Sequence, residues 1–122
     1  MKDHLSLTNT LAAIAILTLS RKAADSQVAD EIVRGIVQQA IHTDRVGSLD
    51  GPHVQVFRQA AEGDVEPLRK LLDRQPLSKF RLIKGLQANP DDANALEFES
   101  AALMVPRSTK LTELLHKAAE LM

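Results

Sequence analysis

Chemistry near neutral pH would fall first to the histidines, and the chain has four: His4, His42, His53 and His116. No two of them stand at i, i+4, the spacing that puts two imidazoles on one helix face to hold a metal. His42 and Asp44 come nearest to a base and its orienter, but they sit at a helix end, where a histidine commonly meets free carbonyls. His53, beside Pro52, and His116 read as surface residues. Asp91 and Asp92 are adjacent at the start of a helix, where the positive end of its dipole accounts for them. Glu97 and Glu99 point about 200° apart on a helix and cannot converge on one substrate atom. The glycines at 35, 47, 51, 63 and 85 are isolated, and neither Gly47 nor Gly51 leads into a Lys-Ser or Lys-Thr pair, so no phosphate-cradling loop is written. None of the serines stands in a nucleophile elbow. With no cysteine, disulfides, thiolate metal sites and cysteine nucleophiles are excluded. The expectation is a protein that is not an enzyme, with no catalytic, cofactor-binding or metal-binding residues and no cofactor.

Charge offers more than catalysis does. The net charge is only −1, but it is segregated. Between Pro67 and Asn89 stand Arg69, Lys70, Arg74, Lys79, Arg81 and Lys84 against the single acid Asp73; between Pro90 and Met104 stand Asp91, Asp92, Glu97 and Glu99 with no base. The six cations are the candidate partner-binding face. The plainer alternative is that the basic and acidic segments are solvated helix faces that attract each other within the fold. Aromatic residues make up 2% of the chain, which argues against the stacking platforms used on single-stranded nucleic acid or sugars.

These charges must be carried by helices. Ala, Leu, Glu, Gln, Lys and Arg are abundant and no segment alternates as a strand does, so the fold class is all-α, a compact bundle of six or seven helices in a single domain over 1–122. Its organising stretch is Leu11 to Leu19, LAAIAILTL, within a first helix running from Leu7 or Thr8 to Ala24. On a helix these residues point in every direction, so the helix is buried centrally or in a dimer interface. A second helix starts at Asp25 or Ser26 and reaches about His42, its apolar pairs wide enough for two neighbours and Gly35 marking a close approach or a bend. Thr43 to Gly51 reads as a loop. Pro52 opens a third helix to about Glu62, Gly63 ends it and Asp64 caps a fourth to about Arg74. Pro76 opens a fifth, to Ala88, and Asn89-Pro90-Asp91-Asp92 starts a sixth that stops before Pro106. Ser108 or Thr109 caps the seventh.

A weak internal repeat follows from the same positions. Phe57-x-x-Ala60-Ala61 followed by Leu68-x-x-Leu71-Leu72 recurs as Phe98-x-x-Ala101-Ala102 followed by Leu111-x-x-Leu114-Leu115. Over 54–75 the pattern resembles the paired helices of an ankyrin repeat, and over 88–122 it resembles a tetratricopeptide helix pair. Those families are binding scaffolds without catalytic residues, which is what the resemblance implies here. The ankyrin Thr-Pro-Leu-His turn and the tetratricopeptide Trp, Gly and Tyr positions are absent, and two copies are fewer than a solenoid needs.

The functional expectation is therefore a small protein–protein interaction module, a regulator, adaptor or inhibitor acting by binding another protein. A homodimer is expected, with Leu11, Ile14, Ala15, Leu17, Ile36 and Val37 in its interface. The alternative is a DNA-binding regulator using the basic helices between 67 and 88, with Lys79, Arg81 and Lys84 facing a major groove. Against that stand a near-neutral domain and a proline in the turn. A stretch of nine largely apolar residues falls short of the ~20 that span a membrane. Arg21 and Lys22, placed where a signal peptide is cleaved, argue against export, so a cytoplasmic protein is expected rather than a helical one matured near Ala24.

Overall fold

The first helix is capped by Ser6. Its Oγ accepts a hydrogen bond from the Asn9 amide at 3.1 Å, and its carbonyl accepts from the Thr10 amide and hydroxyl, each at 2.9 Å. That satisfies donors a helix start otherwise leaves open. The computed structural model describes residues 5–22, 27–44, 51–75, 85, 95–106 and 109–122. Among them run α1 (Leu7–Lys22), α2 (Gln27–Asp44), α3 (Gly51–Ala61), α4 (Glu66–Asp73), α5 (Ala95–Ala102) and α6 (Lys110–Leu121), with no strand. The expected cap of the second helix, most of the expected helix over 76–88 and the expected start at Asn89 lie outside the described residues. Within 76–88 only Gly85 is described, and it is helical and exposed.

The fold is an all-α bundle assembled around α1, which packs against each of the other five helices. Every residue from Asn9 to Leu19 is buried. Ala12, Ala13 and Ala15 keep the helix narrow, which lets several neighbours reach its axis at once. α2 lies against α1, α3 and α6, which explains its broad apolar face. α3 and α4 pack together, as do α5 and α6, and one apolar core draws side chains from all six helices.

Helix ends follow local chemistry. α3 ends in a Schellman turn, in which the Gly63 amide donates to the Ala60 carbonyl at 3.1 Å and the Asp64 amide to the Gln59 carbonyl at 2.9 Å. Gly63 adopts φ +106°, a conformation that side chains resist. Asp64 is therefore part of the C-terminal turn of α3. The cap position of α4 is Val65, which makes no side-chain capping bond, and Pro67 fills the first turn. At α6 the cap is Thr109, whose Oγ1 accepts from the Thr112 amide at 3.2 Å while the Thr109 amide donates to Thr112 Oγ1 at 3.3 Å. This is a capping box with threonine in place of the usual Glu or Gln. Thr43, Asp44 and Gly51, expected in a loop, are helical.

The six side chains expected at a dimer interface are already covered within one chain. Leu11, Ile14, Ala15, Leu17, Ile36 and Val37 are at most 4% exposed, covered by the chain's own helices. The apolar demand of α1 is met within a single copy, so these residues have no surface left for a second. His53 also departs from expectation: it is buried, on the inner side of α3. His42, in the last turn of α2, is exposed, and His116 is half-buried with its Nε2 enclosed.

Candidate protein-binding surface

α4 is short, and its sequence sorts cleanly by face. Leu68, Leu71 and Leu72 are buried, while Lys70 and Arg74, four residues apart, fall on the opposite side and are exposed. Pro67 lies one turn earlier on that outer face. The consequence is a shallow groove of about 480 Å³ between α3 and α4, lined by Val56, Pro67, Lys70, Asp73 and Arg74. Its floor is apolar and its rim carries two cations against one carboxylate. Asp73 already holds a partner of its own, whereas Lys70 and Arg74 form no ion pair among the described residues.

The six cations of the expected face divide. Lys70 and Arg74 come together on the groove. Arg69 points about 100° away from Lys70: its side chain is 23% exposed and its Nε lies 3.9 Å from Glu66 Oε1, one turn back. Arg69 is thus withdrawn from the open face by a local carboxylate that the i, i+3 spacing places beside it. Lys79, Arg81 and Lys84 lie outside the described residues.

A second surface was not foreseen. Leu96, Leu103 and Met104, on α5 and the turn that follows it, are 71%, 54% and 73% exposed, although Phe98, Ala101 and Ala102 on the other side of the helix are buried. Leu96 and Leu103 are seven residues apart and so align within about 20° on a helix. Exposed Glu97 and Glu99 flank them on either side. The signal was present in the sequence as an apolar pair at i, i+7. It was obscured because Phe98 and Ala102 supply a stronger apolar face for the same helix.

The acids of α5 and the cations of α4 do not satisfy each other. Among the described residues, Glu97, Glu99, Lys70 and Arg74 have no ion pair of any kind, so attraction within the fold does not account for these four charges. A further concavity, of about 180 Å³, lies where the end of α1, the first half of α2 and the end of α3 meet, lined by Leu19, Ser20, Asp30, Val33, Ala60, Ala61 and Gly63. It is smaller than the roughly 300–1,000 Å³ usual for small-molecule sites, and its one carboxylate, Asp30, is held by Arg34 at 3.4 Å. The described residues contain no group of three or more acidic or histidine side chains arranged to hold a metal ion. No described helix is long and apolar enough to cross a membrane.

The two hairpins that carry the repeated motif match in burial at most positions. Phe57 and Phe98, Ala60 and Ala101, and the leucine trios 68, 71, 72 and 111, 114, 115 are all buried, but Ala61 is exposed where Ala102 is buried. No family model, curated protein or solved structure matches the chain.

Proposed function

We propose that this chain is a non-catalytic protein-binding module whose contact surface is the groove between α3 and α4. The observation that carries the reading is the pairing, on one exposed face, of an apolar floor at Val56 and Pro67 with two cations, Lys70 and Arg74, that have no ion-pair partner among the described residues. An exposed charge costs little where it stands, and its attraction strengthens when a partner's carboxylate is brought against it and water is displaced. The apolar floor supplies the short-range part of such a contact, and the rim supplies steering and orientation. The partner that fits is a protein presenting acidic side chains around an apolar ridge.

The test is comparative capture. Tagged wild-type chain and the Lys70→Glu/Arg74→Glu variant are used side by side on extract of the native cell, each with and without nuclease. The reading expects a protein bound in stoichiometric amount that survives nuclease and is lost with the variant. Identical recovery by both proteins removes the groove from the account. Recovery that collapses with nuclease transfers Lys70 and Arg74 to phosphate contacts and favours a DNA-binding regulator.

A further inference from the structure

The chain presents both halves of a complementary contact on separate helices. One half is the groove of α3 and α4, apolar at its floor and basic at its rim. The other is the outer face of α5, an apolar ridge of Leu96 and Leu103, extended by Met104 and edged by Glu97 and Glu99. Resting on the reading of the groove as a protein-binding surface, we infer that its occupant is the α5 face of a second copy of this chain.

Three observations support this occupant over an unrelated acidic helix. First, leaving aside Asp73 of the groove, which already has a partner, the two groove cations and the two carboxylates of α5 do not meet within one copy. Second, three of the five exposed large apolar side chains among the described residues, Leu96, Leu103 and Met104, lie on α5 and the turn that follows it, the other two being Val28 on α2 and Leu121 at the end of α6. Three such side chains on one short helix and its following turn mark a contact surface more than a lone exposed leucine does. Third, the core residues of α1 and α2 are already covered, so any contact between copies must use an outer face such as this one. Met104 suits the role, because an unbranched thioether adapts to a shallow apolar floor. The contact joins two different patches, so copies associate head to tail, with the groove of one receiving the ridge of the next.

The experiment is sedimentation equilibrium on the full chain from low micromolar to millimolar concentration, with circular dichroism to verify that each variant keeps the helical content of the wild type. Three proteins are compared: wild type, the groove variant Lys70→Glu/Arg74→Glu and the ridge variant Glu97→Lys/Glu99→Lys. All four positions are exposed. Wild type is expected to exceed the monomer mass as concentration rises. Each variant sets like charges against each other and should weaken association by at least about tenfold. An equimolar mixture of the two variants restores opposite charges at both contacts and should recover association within about threefold of wild type. A wild-type chain that stays monomeric throughout overturns the proposal, and so does a mixture no stronger than either variant alone. If wild type is monomeric while capture of a partner still depends on Lys70 and Arg74, the second copy is refuted and the groove stands. If neither mass nor capture responds to those residues, both readings fall together.

Discussion

Leu114 of α6 lies directly over Gly35 of α2: a Cβ placed on Gly35 would meet Leu114 Cδ1 at 3.2 Å and Cδ2 at 3.4 Å. The glycine is what lets α2 and α6 approach at that point. Because the obstructing atoms are the far end of a leucine, one methyl group displaces them by only a few tenths of an ångström. Gly35→Ala therefore combines a small packing cost with a helix-propensity gain of about 1 kcal/mol, and it should leave stability within about 1 kcal/mol of wild type. Gly35→Leu has no room and should cost about 1–3 kcal/mol. Urea unfolding of the two variants checks this, and equal stability for both would contradict the close approach.

The Leu5 amide donates to Gln75 Oε1 at 3.0 Å, a buried bond spanning 70 positions that fastens the start of α1 to the end of α4. Gln75→Leu leaves the Leu5 amide buried without its acceptor and should destabilise by about 1–3 kcal/mol. Thermal unfolding reads the loss. A variant as stable as wild type would show that the bond contributes nothing.

Thr18 is fully buried in α1, and its hydroxyl has no hydrogen-bond partner among the described residues. Valine has the same branched shape without the polar atom. Thr18→Val should raise stability by about 1 kcal/mol, since desolvating an unpaired hydroxyl is unfavourable. Asn9 is also fully buried, with both side-chain polar atoms unpaired among the described residues, and Asn9→Leu should act in the same direction. A fall in denaturation midpoint for Thr18→Val would mean that its hydroxyl is satisfied after all.

Gly63 has φ +106°, and no described residue lies within 4 Å of the position a Cβ would take. Any penalty for Gly63→Ala is therefore conformational rather than steric contact with a neighbour. About 1–2 kcal/mol is expected, with α3 and α4 retained. Chemical denaturation with helical circular dichroism as the readout tests it, and a stabilised variant would rule out the left-handed turn.

How much of this was legible in the sequence depended on whether the deciding interaction was local. The burial of α1 was readable because Leu11 to Leu19 leave no polar face whatever surrounds them. Gly63 and Thr109 were readable because a helix end is set by a few adjacent residues. Asp64 misled because an aspartate before a helix is a good cap in isolation, yet the Schellman turn had already claimed its amide. His53 misled because a proline neighbour signals a helix start but says nothing about which side of that helix packs inward. The interface expected from Ile36 and Val37 required knowing how much of their surface α1, α3 and α6 would take, which is a property of the assembled bundle. Of the candidate site, Lys70 and Arg74 were foreseen by their spacing on α4. The groove beside them was not, because it exists only where Val56 of another helix closes its far wall.

The central position of α1 has a consequence for how the chain is made. Synthesis delivers α1 before any of the helices that enclose it, and α6, one of its principal covers, comes last of the six. At ~5–20 residues per second, several seconds separate the emergence of Lys22 from that of Leu121. During that interval a helix with no polar side has no finished shelter, and it either collapses onto whichever early helix is at hand or is held by a chaperone. The same all-round apolarity that lets α1 anchor five neighbours leaves it prone to aggregation until they arrive.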